Sequence, residues 1–420
     1  MPPFCVYPAG VPPARLPRPS DQRIAVRITP DALRRVRAGH PWVYDGSIVS
    51  TARDGAPGDL AVVFDDDRRF AAIGLWDPTS PIRLKMLHHG RPTTVDRAFW
   101  RERLAAAITR RAPLVDRGDT TGYRVVNGEN DAMPGFILDR YDRTLVAKLY
   151  TAAWVPHLTD IVAAVDELLH PDSLVLRLAR SIAPEHLFGL EEGDALIGAT
   201  PDAPVPFTEH GLWFEADVVH GQKTGHFLDQ RDNRAIVGSM AAGRRVLDLF
   251  ASTGGFTVHA AAGGAREVVS VDSSAPTLAV AERNLARNAH LPAVAACAHR
   301  SIVGDAFDTL RNLARSGEKF DIVVVDPPSF ASRADQVPGA LRAYGDLTTL
   351  ALGVLRRRGT LVQCSCSSRV SADQLLSTVS HAAGLADRPL DVLRRTGHAV
   401  DHPISFPEGE YLSAVFATVP

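Results

Sequence analysis

The sequence predicts a doubly wound α/β domain in its C-terminal half, preceded by smaller β-rich segments. Three observations carry this. The apolar run Val246-Leu-Asp-Leu-Phe250 reads as a buried parallel strand, followed by the small residues Ala251 to Gly255 and a helix over Thr257 to Ala262. Further apolar runs, Glu267 to Asp272, Phe320 to Val325 and Leu361 to Cys364, alternate with helical stretches, as a parallel sheet with crossover helices requires. The last two strands, Asp391 to Val400 and Tyr411 to Thr418, are joined by Asp401-His-Pro-Ile-Ser-Phe-Pro-Glu-Gly-Glu410 and read as a terminal hairpin with one reversed strand.

A strand, a glycine turn and a helix open a nucleotide-binding unit: the turn brings backbone near a ligand and the helix N-terminus faces it. A dinucleotide turn wants G-x-G-x-x-G, and this one has only Gly254-Gly255, which disfavours a nicotinamide oxidoreductase. Acids stand at four successive strand ends. Asp248 suits a cationic group such as the ammonium of a methionine moiety. Asp272 suits ribose hydroxyls, Asp305 an adenine amino group, and Asp326 opens Asp-Pro-Pro-Ser-Phe330. The bland alternative is four acids capping helices. Taken with the glycine turn and the Asp-Pro-Pro tetrad, the row resembles the S-adenosylmethionine (SAM) site of a class I methyltransferase. That resemblance implies cofactor contacts at Asp248, Phe250, Ser252, Gly254, Asp272, Ser273, Asp305, Ala306 and Asp326.

The 420 residues suffice for two or three domains, with 45% hydrophobic and 22% charged residues, ordinary globular values. The net charge of −2 gives no bulk signal for nucleic acid. Lysine occurs only at 85, 148, 223 and 319, so arginine supplies nearly all positive charge. Arginine favours bidentate phosphate contacts, though a GC-rich genome explains the bias more simply. Four cysteines (5, 297, 364 and 366) are too few for a disulfide framework. There is no apolar run of membrane-spanning length and no secretory signal, so the chain reads as cytoplasmic.

Residues 1–22 are Pro-rich and read as a disordered extension. Residues 23–93 read as a small, mostly β domain: a strand at Arg23 to Ile28, a helix capped by Thr29 with Pro30 at its first position, and short strands up to Leu87. Trp42 and Tyr44, set among arginines, suit either base stacking or the core. With the turn Gly39-His-Pro-Trp-Val43, the stretch resembles a PUA domain, an RNA-binding pseudo-barrel. Residues 94–204 read as a central α/β unit: a helix over Ala98 to Leu114, a strand–turn–strand over Tyr123 to Tyr141, a strand at Leu145 to Tyr150, a helix over Val155 to Leu169 and a strand at Ser173 to Arg180. Glu129 and Asp131 in its turn fit turn chemistry better than catalysis. Residues 205–420 form the third domain. Its polar stretch Gly221-Gln-Lys-Thr-Gly-His-Phe-Leu-Asp-Gln-Arg-Asp-Asn-Arg234 is either a charged helix start or a ligand contact, which makes Lys223 and Thr224 candidate cofactor contacts and Arg231 a candidate substrate contact.

Cys366 falls at the carboxyl end of the strand Leu361 to Cys364, where such sheets keep their active sites. Cysteine is the usual attacking group where a pyrimidine is activated at C6. The alternatives are an inert buried cysteine, or Cys364 and Cys366 as metal ligands, for which a second Cys/His pair is missing. No metal is expected.

These residues together resemble the RlmI-type 23S rRNA cytosine-C5 methyltransferases over roughly residues 22 to 420. The marks are Gln222 to Arg231, Asp248-Leu-Phe250, Asp326 to Phe330, Arg342-Ala-Tyr344, Ser365-Cys-Ser367, Asp401-His-Pro403 and Pro407-Glu-Gly409. The resemblance implies SAM as cofactor and a Rossmann-like methyltransferase domain with a seven-stranded, mostly parallel sheet. It also implies Cys366 as nucleophile, Asp326 near cytosine N3, and substrate contacts at Pro327, Pro328, Phe330, Tyr344 and Arg231. RNA is the expected partner, with no membrane and with a homodimer left open. Other RNA cytosine-C5 methyltransferases carry a second cysteine after the Asp-Pro-Pro; here that position is Ser329. The competing readings are methylation of guanine or of an exocyclic nitrogen, and a non-catalytic RNA-binding assembly factor.

Overall fold

The computed structural model describes residues 16–221 and 223–420, so most of the Pro-rich extension, Cys5 and Gln222 lie outside the described residues. The chain divides into two compact units. The first takes the described residues up to Phe207, together with Ala216–His226 and Val400–Phe406; the second takes Thr208–Glu215, Phe227–Ala399 and Pro407–Pro420.

In the first unit, Ile24–Ile28 alternates buried and exposed residues as a strand with one face on the core should. Thr29 caps the helix Pro30–Arg37 by accepting the Ala32 N–H. These belong to a six-stranded sheet that also contains Trp42–Tyr44, Ile48–Thr51, Leu60–Phe64, Phe70–Trp76 and Ile82–His89. A second sheet of five strands follows the helix Arg97–Val115, and its spatial order is the reverse of its chain order. It includes a short strand, Ala195–Ile197, that the sequence did not announce. Leu60, Val62, Ile73, Leu75 and Leu87 from the first sheet share one core with Trp100, Phe136, Trp154 and Leu176. Glu129 and Asp131 sit in the turn Gly128–Asp131. Asp131 pairs with Arg110 and Arg111, and Glu129 accepts the Trp42 indole N–H at 3.0 Å. Trp42 is thus half-buried and engaged, while Tyr44 is exposed. The late segment Val400–Phe406 completes this unit: Asp401 accepts the Arg124 N–H on its carboxylate at 2.8 Å and the Arg111 guanidinium on its carbonyl at 2.7 Å.

The second unit is built on seven strands, labelled here β1 (Arg245–Leu249), β2 (Glu267–Asp272), β3 (Ala298–Val303), β4 (Phe320–Val325), β5 (Leu355–Ser365), β6 (Asp391–Thr396) and β7 (Ser413–Thr418). Their spatial order is β3-β2-β1-β4-β5-β7-β6. The first five are mutually parallel, and β7 runs antiparallel to both its neighbours. This is the α/β sheet with a reversed terminal strand expected from the sequence. Alternation along the strands feeds two cores. Leu247, Leu249, Val323, Val325 and Leu361 pack on one face. Val246, Val268, Ile322, Val324, Val362 and Cys364 pack on the other. Crossovers leave β1 in opposite directions along the sheet, so β1 and β4 flank the switch point, where such sheets bind ligands beyond their carboxyl ends.

Candidate active site

The turn after β1 is conformationally forced. Phe250, Ser252 and Gly254 all take left-handed backbone, at φ 60°, 50° and 79°. The sequence suggested that glycine here admits a ligand. The structure adds a packing reason: a Cβ on Gly254 would lie 2.7 Å from the Ala281 Cβ, and one on Gly255 would strike the Arg234 side chain. The glycines let helices pack against the turn, and Gly254 also meets the φ requirement.

Asp248 is fully buried one residue before the end of β1. One carboxylate oxygen accepts the Thr257 hydroxyl at 2.7 Å, and Oδ1 has no hydrogen-bond partner among the described residues. Burial pushes its pKa up to about 7; the Thr257 bond opposes this, and the nearby Asp326 and Asp272 charges add to it. Asp272, ending β2, accepts the Ser252 N–H at 3.0 Å and the Ser274 N–H at 2.9 Å, which ties two adjacent turns together. Ser273 is exposed between them. Asp305 is exposed and caps the helix Ala306–Arg315 by accepting the Asp308 N–H, with Ala306 buried as its first residue. For Asp305 the helix-capping role is therefore realised in the fold.

Asp326 leaves β4 beside β1, its N–H directed to the Leu249 carbonyl at 3.4 Å. Its Oδ1 accepts the Gln230 amide at 2.8 Å. Pro327 is buried, Pro328 is exposed, and the Phe330 ring packs at 5.2 Å from that of Tyr344. Cys366 follows the end of β5, half-buried, with its thiol 3.5 Å from the Pro327 carbonyl. The flanking serines are buried and point to one hydroxyl: Tyr344 lies 2.8 Å from the Ser365 hydroxyl and 3.1 Å from that of Ser367. Ser367 Oγ also accepts the Phe330 and Ala331 N–H groups and lies 3.2 Å from the Ser329 hydroxyl. Cys364, two residues earlier, is fully buried, and burial drives its thiol well above the usual range.

Asp248, Phe250, Ser252, Gly254, Asp272, Asp326, Pro327, Phe330, Tyr344 and Cys366 therefore gather at the carboxyl end of one sheet. Arg231, expected at the substrate, is wholly buried at the start of the helix Arg231–Met240. Lys223 and Thr224 belong to the first unit, where the buried Thr224 hydroxyl donates to Asp139 at 2.6 Å and meets the Tyr141 hydroxyl at 3.2 Å. Sequence reasoning passed over Gln230, Ser365 and Ser367. Their only advance signal was their place inside the motifs around Arg231 and Cys366.

Known proteins bear on this geometry. The sequence profile of the S-adenosylmethionine-dependent methyltransferases matches residues 195–404, and that of a PUA-like domain matches residues 26–89. The ribosomal RNA large subunit methyltransferase of Deinococcus radiodurans is 47% identical over 95% of this chain and 98% of its own length. Ribosomal RNA large subunit methyltransferase I of Klebsiella pneumoniae is 34% identical over 89% of this chain and 92% of its own. Among solved structures, a SAM-dependent methyltransferase from Streptococcus mutans superposes with a TM-score of 0.80 at 20% identity, covering 94% of this chain and 100% of that one. A methyltransferase structure complexed with S-adenosylhomocysteine (SAH) superposes equally well, at 0.80 and 21% identity, and shows the same fold. The chain therefore belongs to the S-adenosylmethionine-dependent methyltransferases that carry an N-terminal PUA-like domain, in the family of ribosomal RNA large subunit methyltransferase I.

Proposed function

We propose that this chain methylates C5 of a cytidine in large-subunit ribosomal RNA, with Cys366 as nucleophile. The observation that carries the reading is the half-buried Cys366 thiol 3.5 Å from the Pro327 carbonyl, at the end of β5 and beside the Asp326 loop. The names of the relatives support RNA of the large subunit as substrate.

SAM, when bound, supplies an electrophilic methyl group. The residues present fit it. Asp248 offers a buried carboxylate oxygen without a partner, suited to an ammonium. Asp272 has the acceptor capacity for ribose hydroxyls beyond its two backbone donors. Phe250, Ser252 and Gly254 form the turn that follows Asp248, Ser273 and Ala306 are further proposed contacts, and the exposed Asp305 is the proposed acceptor for the adenine amino group.

Cytosine C5 is too weak a nucleophile to take a methyl group unaided. In the proposed mechanism the base is first flipped out of its stack. The Cys366 thiolate adds to C6, forming the S–C6 bond, while the C5=C6 pair shifts toward N3. Asp326, protonated or sharing a proton, steadies N3 as charge builds there. C5 is then an enamine carbon able to accept a methyl group. Loss of the C5 proton returns its pair to the C5–C6 bond and expels the thiolate. Pro327, Pro328, Phe330, Tyr344 and Arg231 are the proposed surroundings of the base, Tyr344 acting through the serines that set the Cys366 backbone.

RNA containing 5-fluorocytidine tests this reading, since fluorine cannot leave as a proton does. The wild type should trap a covalent adduct. Cys366→Ala should trap none while still binding SAH. Cys364→Ala should still trap it, at a stability cost of ~1–2 kcal/mol for a small core truncation. An adduct on Cys364, or full activity without Cys366, would overturn the cytosine-C5 reading in favour of an exocyclic nitrogen.

A further inference from the structure

Trp213 is the exception among the five tryptophans. Trp42 donates its indole N–H to Glu129, Trp100 and Trp154 pack edge to face at 5.3 Å, and the Arg83 guanidinium covers the Trp76 ring at 5.7 Å. Trp213 is 42% exposed. Among the described residues its ring meets no aromatic or guanidinium group, and its indole N–H meets no acceptor. So large an apolar ring is ordinarily mostly buried, and this one leaves its face to solvent.

Its mount is rigid. Trp213 stands on the strand Leu212–Ala216, and its N–H donates to Asn288 Oδ1 at 2.9 Å. Asn288 Nδ2 donates back to the Trp213 carbonyl at 2.8 Å. Two residues on, the Glu215 N–H donates to Asn284 Oδ1 at 2.9 Å. Both asparagines are fully buried, Asn284 within the helix Ala275–Arg287 and Asn288 at its end, so water does not compete for these bonds. Asn284 Nδ2 also donates to the Thr253 carbonyl at 2.9 Å, in the turn after β1. Trp213, Glu215 and the helix all lie in the second unit. The surroundings of the ring are positive. Residues two apart on a strand share a face, so Glu215 projects on the same side as Trp213. Its carboxylate receives Arg283 Nη2 and Arg287 Nη2, each at 2.7 Å. One negative charge against two positive ones leaves a surplus. Both guanidiniums reach the surface, 53% and 38% exposed, and Arg287 Nη1 has no partner among the described residues.

We propose that Trp213 is a stacking platform for an unpaired nucleobase of the substrate RNA, with Arg283 and Arg287 meeting the adjoining phosphates. Bases of any sequence stack on an aromatic face, and a guanidinium suits phosphate oxygens. A protein partner fits this surface less well. A protein-docking patch needs contiguous apolar area, and here a carboxylate and two guanidiniums share the face with a single ring. Fixing the backbone in advance lowers the ordering cost of the contact. The inference rests on the reading of the substrate as RNA, and not on the choice of base or on Cys366.

The test measures binding of the full-length protein to a large-subunit rRNA transcript. Trp213→Leu keeps an apolar side chain without a π face, and Trp213→Tyr keeps a smaller π face. Trp213→Leu should lower RNA affinity by about 5- to 100-fold with the salt slope unchanged, and Trp213→Tyr should fall between it and the wild type. Arg287→Gln should reduce the slope of log affinity against log salt by about one. SAH affinity should stay within about twofold in all three, a readout of an intact second unit. The emission present in the wild type and missing from Trp213→Leu belongs to Trp213, and RNA should quench it. Unchanged RNA affinity in Trp213→Leu, or equal losses in the Leu and Tyr variants, overturns the inference. So does a dimer that Trp213→Leu dissociates at unchanged RNA affinity, which would make this face a contact between copies. A wild type that does not bind the transcript removes the RNA reading and the platform with it. A product other than 5-methylcytidine leaves the platform standing.

Discussion

The Ser367 hydroxyl accepts the Phe330 backbone N–H at 3.1 Å, so the residue after Cys366 is tied to the loop that begins at Asp326. Two catalytic candidates on different strands are thereby held in one frame. Ser367→Ala removes the acceptor of the part-buried Phe330 and buried Ala331 N–H groups and one of the two serine partners of Tyr344. It should cost ~1–3 kcal/mol in urea unfolding. It should slow methyl transfer by about 10- to 100-fold through misplacement of the loop, with SAH affinity nearly unchanged.

Asp272 supports two turns as well as its proposed ligand contact. Asp272→Ala removes the acceptor for the Ser252 and Ser274 N–H groups. Calorimetry should show SAH binding weakened by ~1–3 kcal/mol. Unchanged affinity would take Asp272 out of the cofactor site.

Asp248 gives a pH signature. Its ordinary value is 3.8, and burial first, then Asp326 and Asp272, raise it to about 7 in the fold. A raised carboxyl favours the protonated native state. Its contribution to stability is fully present below 3.8 and is lost as the pH rises through about 7. A ligand ammonium favours the ionised form, so binding must release a proton below that value. SAH affinity should fall as the pH is lowered from about 8 to about 5.5, approaching tenfold per unit at the acid end. Calorimetry in two buffers of different ionisation enthalpy reads the proton release. Asp248→Asn should bind more weakly and show neither effect.

The PUA-like segment cannot be removed cleanly to test RNA binding, because Leu60, Val62, Ile73, Leu75 and Leu87 share a core with Trp100 and Trp154. Charge reversal is the sounder probe. Arg23→Glu and Arg35→Glu fall on exposed positions of the first strand's approach and of the first helix. If they meet phosphates, each should weaken RNA binding and reduce the slope of log affinity against log salt by about one. An unchanged slope in both would give this face another role.

Much of the sheet was legible because buried parallel strands write continuous apolar runs. β1, β2 and β4 lie within a residue or two of the runs that announced them. The acids at their ends were legible for the same reason: a charged residue closing an apolar run stands out. Short strands such as Trp42–Tyr44 and Ala195–Ile197 were not, since three residues hold too little periodicity. The helix expected from Val155 starts at Leu158, because the segment Ala152–His157 around Pro156 is a tighter turn. Gln230 and Ser367 were illegible as functional residues because their roles depend on partners such as Asp326 and Phe330, about a hundred and about forty positions away, and such pairing leaves no local pattern. The Ala281 neighbour of Gly254 was illegible too, since only packing places it beside the turn.

Asp401 carries a consequence for biosynthesis. Its carboxylate and carbonyl complete bonds to Arg124 and Arg111, yet the ribosome adds it some 280 residues after them. Until then the buried Arg111 guanidinium lacks one of its acceptors, so the N-terminal unit cannot mature as it emerges. Its completion waits for nearly the whole chain, including most of the catalytic sheet. A nascent chain stalled before residue 400 should carry an N-terminal unit more open to protease than the same residues in the finished protein.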